Sequence, residues 1–426
     1  MKHAKKILLA AVYLALAVPM FYFTEEGVAV GSFSFMYMYL FGIGIVAFAV
    51  LVFFVSPDIR RGILSVRYMT VMSFPYLWTI LYSLLFWILT LAEFRVITRG
   101  FFYVVYQLIA VSAAAATLYL FGNNGIYYQF FALAAANAIV IVQTVRQFGA
   151  GEFVSEYIDV ITSFTSETGV IMKLFESMEH GFAIGFFLIF FLLDFRKNKK
   201  RLFWLPLAVF LFLLGLKRII LAAAAAGILL GVFGMRFLKK NAKRNILILL
   251  TGVGILGFAY IVAVRMGLYE WLEARGMDSM GRRWIYDMVR DWYEIGPGYF
   301  GKGAGYISGS ISIGELDLTR SDGYAVADIH NDLLRQYIEL GFLGYFIWTW
   351  LFLNRRAGYF FHAQATEDDR RHGILAAAVL AALFFTFMTD NTIYYYYTTI
   401  FSSIAIMGFR YEEYAEQVKL PGDDGS

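Results

Sequence analysis

The sequence predicts an all-α integral membrane protein with about twelve transmembrane helices and one large extracytoplasmic loop containing amphipathic helices. Three observations predict it. Of the 426 residues, 60% are hydrophobic and 16% are charged, against about 25% charged in an ordinary soluble domain. The apolar residues arrive in blocks of about 16–24, close to the length a helix needs to cross a ~30 Å hydrocarbon core. The basic residues gather in alternate connections between those blocks.

The first apolar run, 7–23, follows Lys2-His3-Ala4-Lys5-Lys6. It reads either as a secretory signal with Ala15-Leu16-Ala17 as its cleavage box, or as a retained first helix. Continuation of the run through Val18 to Phe23 favours retention. Further runs fall at 35–55, 69–91, 101–121, 126–145, 181–195, 202–216, 219–235, 245–264, 337–353, 373–389 and 392–409. In lipid each must be helical, because unpaired backbone groups are too costly there. Runs 202–216 and 219–235 could form one tilted helix. Lys217-Arg218 between them argues for a surface turn instead, since charges inside a bilayer are expensive.

With the N-terminal lysines in the cytoplasm, the basic connections all fall on that side. They hold Arg60, Arg61 and Arg67; Arg196, Lys197, Lys199, Lys200 and Arg201; Arg236, Lys239, Lys240, Lys243 and Arg244; and Arg355, Arg356, Arg370 and Arg371. The outer connections hold Glu25-Glu26, the acidic stretch 146–180, the loop 265–336 and Asp390-Asn391. Connection 92–100 is a mild exception, with Arg95 and Arg99 against Glu93. Both termini are expected in the cytoplasm, and the protein in the inner (cytoplasmic) membrane. The chain divides into helices 1–9 (1–264), the outer loop (265–336), and helices 10–12 with a cytoplasmic tail (337–426).

The absence of cysteine removes disulfides, thiolate catalysis and zinc–cysteine sites. A formal charge of +4 leaves no nucleic-acid footprint. Segment 146–180 spaces Phe153, Tyr157, Ile158, Ile161 and Phe164 at near-helical intervals, as an interfacial helix would. Loop 265–336 carries 8 Lys+Arg against 11 Asp+Glu, with Trp271, Trp284, Trp292, Tyr299, Tyr306 and Tyr324. No internal repeat is evident.

Within the loop, 281–290 reads as an amphipathic helix. Trp284, Ile285, Met288, Val289 and Trp292 share one face; Arg283, Asp287, Arg290 and Glu294 share the other. The stretch Gly296-Pro297-Gly298-Tyr299-Phe300-Gly301-Lys302-Gly303-Ala304-Gly305 lacks a following GK[ST] and reads as a tight backbone path. The loop closes at Asp328-Ile329-His330-Asn331-Asp332. Asp328 is placed to cap the next helix. His330 would then sit in the first helical turn, where the positive helix end keeps imidazole neutral. The alternative is a histidine that only ties down the loop. Lys217-Arg218 reads either as a snorkelling turn pair or as an anion site for a lipid-borne phosphate.

These pieces occur in a fixed order: a basic residue between two central helices, Gly-Arg-x-x-Ile, Gly-x-Gly, His-Asn, then Glu-x-Gly. The set resembles the O-antigen ligase and O-antigen/capsule polymerase superfamily. The matching residues are Arg218, Gly281, Arg282, Ile285, Gly303, Gly305, His330, Asn331, Glu339 and Gly341. The family often carries serines before its first arginine; this chain has Gly215 and Lys217, which leaves open whether Lys217 or Arg218 takes that role.

The resemblance implies a membrane glycosyltransferase that moves a glycan from undecaprenyl diphosphate to an acceptor hydroxyl, inverting the anomeric carbon without metal, cofactor or nucleotide sugar. His330, Arg282 and Arg218 would be catalytic, and Lys217, Arg283, Arg290, Asn331 and Glu339 would contact substrate. The outer loops contain no Asp-x-Asp; Glu315-x-Asp317 is the nearest approach to a metal-chelating pair. The implied partners are the lipid-linked glycan, an acceptor glycan or glycolipid, the bilayer, and flippase and chain-length regulator proteins. Polymerase and ligase share these motifs, and polymerase is the preferred reading. A transporter would be expected to show internal repeats or broken helices at mid-membrane.

Overall fold

The computed structural model describes residues 2–23, 34–163, 169–194, 199–279, 281–315, 317–319, 328–362 and 366–420. Glu25-Glu26, Phe164, Arg196-Lys197 and Tyr324 lie outside the described residues. The described residues are helical almost throughout. In chain order the helices are α1 (Lys2–Tyr22), α2 (Ser34–Val55), α3 (Ile59–Leu89), α4 (Phe94–Phe121), α5 (Gly125–Phe148), α6 (Ala150–Ser163), α7 (Val170–Ser177), α8 (His180–Asp194), α9 (Leu205–Leu214) and α10 (Arg218–Phe237). They continue as α11 (Ala242–Arg265), α12 (Leu268–Glu273), α13 (Arg282–Val289), α14 (Tyr306–Ile313), α15 (Asp332–Trp350), α16 (Arg356–Tyr359), α17 (Glu367–Thr386), α18 (Tyr396–Met407) and α19 (Tyr411–Glu416).

Each of the twelve apolar runs lies on a helix, but length and apolarity divide them. Five stretches are long and apolar enough to cross a membrane: Tyr37–Val55, Ile59–Leu89, Phe94–Phe148, Arg218–Phe237 and Ala242–Arg265. A sixth forms if α7 and α8, bent by 66°, count as one broken span. The stretch Phe94–Phe148 doubles back at Gly122–Asn124: Gln129 Nε2 donates to Thr117 Oγ1 at 3.1 Å, although twelve residues of straight helix would separate them by ~18 Å. Exposed Leu81, Leu85, Ile88 and Leu89 on α3 suit a lipid-facing surface. Helices α15 and α17 are less apolar because charged residues lie in their N-terminal halves. Asp332, Arg335 and Glu339 open α15, and Glu-Asp-Asp-Arg-Arg opens α17, where Thr366 and Asp369 complete a capping box.

The contacts fall into two units. The first comprises Met1–Met72, Ile109–Arg236 and Tyr395–Ser426. In it α1 packs on α2 and α5, and α8 lies between α9 and α18. Almost every side chain of α8 is buried, so its uniformly apolar sequence matches a helix surrounded by protein. Asn137 and His180 meet inside this unit at 2.9 Å. The expected interfacial segment forms α6 and α7: Phe153 and Val160 are buried and Ile158 and Ile161 exposed.

The second unit comprises Ser73–Leu108 and Phe237–Tyr394, with α11 packed on α15 and α17. It contains the whole described part of the polar loop. The loop's glycines decide how it packs. Gly341 breaks α15 at φ 66°, and the glycine-rich stretch crosses α15 at this break. Gly303 N donates to Glu339 O at 2.8 Å and Phe342 N to Tyr299 O at 2.8 Å. A Cβ on Gly341 would come within 2.1 Å of the Phe300 carbonyl carbon. A Cβ on Gly305 would come within 2.3 Å of Gly100 N, and one on Gly309 within 2.6 Å of the Val96 side chain, both on α4. The expected tight backbone path is therefore a joint binding the loop to α15 and α4, which gives the Gly-x-Gly and Glu-x-Gly motifs a shared steric cause.

Candidate active site

The second unit brings Arg282 and His330 to one place. Arg282 is the first residue of α13, after Gly281 at φ 79°. Its Nη2 donates to the Thr389 carbonyl at 3.1 Å. Two residues further along the same turn, Asn391 Nδ2 lies 3.3 Å from His330 Nδ1. Residues 48 positions apart at the two ends of the loop are thus held by one short turn between α17 and α18. Other bonds secure that turn. Tyr260 of α11 donates its hydroxyl to Met388 O at 2.7 Å. Ile393 N donates to Asp332 Oδ2 at 2.7 Å, and Leu333 N donates to Phe387 O at 3.2 Å.

The helix following His330 is capped by a different residue than expected. The N-cap is Asn331, whose Oδ1 accepts Leu334 N at 3.0 Å. Asp328 instead forms an ion pair with buried Arg335, whose guanidinium stacks 4.2 Å over Tyr394. The side chain of Asp328 reaches inward to a cation, so capping falls to Asn331. His330 consequently precedes the helix, outside its first turn, at φ 47°. A left-handed conformation is unusual for a residue bearing a Cβ, and such positions cost about 1–3 kcal/mol unless the surroundings enforce them. Here the Asn331 cap and the Asn391 contact enforce it. His330 is partly exposed, whereas Asn331 is fully buried. Asn331, expected at the substrate, is the cap that holds its neighbour in place.

Helix α13 buries Ile285, Tyr286 and Val289, while Met288 stays 43% exposed. The apolar face is thus rotated from the expected one, because Tyr286 turns inward and its hydroxyl approaches His330 O at 3.5 Å. This rotation separates the three arginines. Arg283 pairs with Glu273 at 2.8 Å; Arg290 pairs with Glu270 and, at 2.8 Å, with Asp287. The Arg290 guanidinium holds the Glu270 carboxyl below its ordinary range, and Arg283 does the same for Glu273. These two arginines tie α13 to α12 through Glu273 and Glu270, whereas Arg282 is the member of the cluster that turns inward.

Glu339, expected at the substrate, lies inside the protein. It is 1% exposed, and its Oε1 accepts Ile307 N at 3.3 Å, capping the start of α14 from a neighbouring helix. It lines a cavity of about 20 Å³ together with Gly305, Gln336 and Tyr394, the size of roughly one water.

In the first unit Lys217 and Arg218 part company. Lys217 forms an ion pair with Glu179, and Tyr395 donates to the same carboxylate at 3.3 Å. Arg218 opens α10, is exposed, and has no ion pair among the described residues. Lys217 is thus engaged in the packing of its unit, and Arg218 is the cation available to an anion.

Sequence reasoning did not single out Asn391 or Arg335. The signal for Asn391 was the polar pair Asp390-Asn391 between two apolar runs; for Arg335 it was a cation within one turn of a helix start. No family model matches the chain, and no curated protein matches it.

Proposed function

We propose that the chain is a metal-independent, inverting glycosyltransferase of the cytoplasmic membrane. It transfers a glycan from undecaprenyl diphosphate to an acceptor hydroxyl and builds a polysaccharide from repeat units. In this reading twelve helices span the bilayer, loop 265–336 faces outward and both termini face the cytoplasm. The observation that carries it is the convergence of Arg282 and His330 on the turn Thr389–Asn391.

The chemistry needs two separate functions. The acceptor oxygen attacks the anomeric carbon while the bond from that carbon to the diphosphate oxygen breaks. Electrons flow to the diphosphate, and a fixed guanidinium answers the growing charge without reorganising. Arg282 supplies that cation, and the exposed guanidinium of Arg218 suits the same role. The acceptor hydroxyl loses its proton to His330, and general-base help of this kind is worth about 10²–10⁴-fold. For Nε2 to act as the base, Nδ1 must carry the proton and donate it. Asn391 meets Nδ1, and its amide can turn Oδ1 toward the ring to accept that proton.

The test is the set of products made from purified lipid-linked repeat units alone. A ladder of increasing length is expected. No product without a second acceptor would mean a ligase that delivers the glycan to lipid A-core or another final acceptor. Loss of neither donor nor acceptor under any condition would remove the enzymatic reading.

A further inference from the structure

Connection 92–100 carries the two arginines that depart from the positive-inside pattern, and the structure gives them a common location. Arg95 and Arg99 lie four residues apart at the start of α4, one turn above the other. With Thr98 of the same helix and Ser312 of α14 they line a surface cavity of about 300 Å³. Arg95 Nη1 reaches the Ser312 carbonyl at 3.4 Å, a long and weak contact. The Thr98 hydroxyl is turned to its own helix, donating to Phe94 O at 2.9 Å.

No carboxylate answers either arginine among the described residues. Glu93 forms no ion pair with them, and Glu315, three residues past Ser312, accepts from the Ser310 hydroxyl at 3.2 Å. Three other arginines of this unit are answered by carboxylates: Arg283 by Glu273, Arg290 by Glu270 and Arg335 by Asp328. Two like charges held side by side destabilise a helix start, which is already the positive end of its dipole. Such a cluster is explained by an anion.

The surroundings say where the anion comes from. Phe94 is 79% exposed and Leu91 88%, and Ile88, Leu89, Phe101 and Phe102 are exposed beside them. An apolar rim around paired guanidiniums fits a phosphate carried on a lipid. Each guanidinium fork matches the oxygens of one phosphoryl group, so two forks match a diphosphate better than the single phosphate of a phospholipid.

We infer that Arg95 and Arg99 form a second diphosphate site, which in the reaction proposed above holds the lipid-linked acceptor. This inference rests on the function proposed above. It follows from the acceptor's own geometry. A lipid-linked acceptor presents its reacting hydroxyl at one end of the glycan and its diphosphate at the other, and so requires a phosphate site apart from Arg282. The arginine pair touches α14, whose start is held by Glu339 of α15, and α15 begins directly after His330. The acceptor site is thereby tied through two rigid helices to the base.

The experiment measures binding of undecaprenyl diphosphate without glycan to the purified full chain in phosphatidylcholine nanodiscs, alongside the ladder assay. Wild type should bind two equivalents. The double variant Arg95→Gln/Arg99→Gln should bind one, roughly tenfold or more weakened at the lost site, and should yield no ladder. Arg282→Ala should also bind one. Unchanged stoichiometry and an unchanged ladder in the double variant would overturn the inference and leave the glycosyltransferase reading standing. Displacement of the second equivalent by phosphatidylglycerol at matching concentration would also overturn it, as a phospholipid headgroup site. A wild type that binds no diphosphate and makes no product would remove both. Equal melting temperatures for wild type and double variant would tie any loss to the removed charges.

Discussion

The side-chain amide of Asn391 lies 3.3 Å from Nδ1 of His330, across 61 residues of chain. In the orientation present Nδ2 faces the ring, and Oδ1 is buried without a hydrogen-bond partner among the described residues. Turning the amide over gives the Nδ1 proton an acceptor and places the lone pair on Nε2. In the proposed reaction Asn391 is therefore a positioning residue for His330. Asn391→Leu should lower kcat about 10- to 100-fold, as loss of an orienting partner typically does, with little change in donor KM. Asn391→Asp tests the same contact by charge. A carboxylate beside Nδ1 favours the imidazolium, so the acidic limb of the pH–rate profile should move to higher pH. A profile that stays in place would separate Asn391 from the chemistry.

The φ of 47° at His330 makes a second prediction. Glycine adopts this conformation without a Cβ penalty, so His330→Gly should fold at least as stably as His330→Ala while neither transfers glycan. Both variants should express and insert into membranes. Transfer by either at the wild-type rate would end the general-base assignment, and a melting temperature for His330→Gly below that of His330→Ala would show the strain to be absent.

Lys217 and Arg218 should separate cleanly. Lys217→Met takes the cation from Glu179, whose side chain is 10% exposed and which keeps the Tyr395 hydroxyl, and removing one partner of a buried pair costs about 3 kcal/mol. Its melting temperature should fall. Arg218→Gln removes an exposed cation and should leave the melting temperature in place while glycan transfer drops at least tenfold. The reverse pattern would assign the anion role to Lys217.

The joint between the loop and α15 should tolerate no Cβ. Gly341→Ala places an atom 2.1 Å from the Phe300 carbonyl carbon at φ 66°, and should destabilise the chain by roughly 2 kcal/mol or more. Gly298→Ala, which meets nothing within 4 Å, is the matched control and should be neutral. Limited proteolysis of the loop reads both: rapid cleavage is expected in Gly341→Ala alone.

Much of the helical architecture was legible because apolar runs and their punctuation are local properties. Every apolar run lies on a helix, and Gly281, Gly303 and Gly305 sit at positive φ in the turns where the motif places them. The sequence also marked Arg282 and His330 as unusual polar residues in one long loop. It could not say which of Arg282, Arg283 and Arg290 turns inward, because that depends on the rotation of α13. The rotation is decided by burial of Tyr286, a residue whose polar tip conceals an apolar body. Nor could it separate Lys217 from Arg218, since Glu179 reaches Lys217 from 38 residues away. The cap on α15 went to Asn331 because Arg335 claims Asp328. The sequence by itself determined which segments are apolar helices and which residues could carry charge and protons. The tertiary structure alone decided which of those residues meet, because pairing across 38 to 107 positions is set by packing, and periodicity carries no record of it.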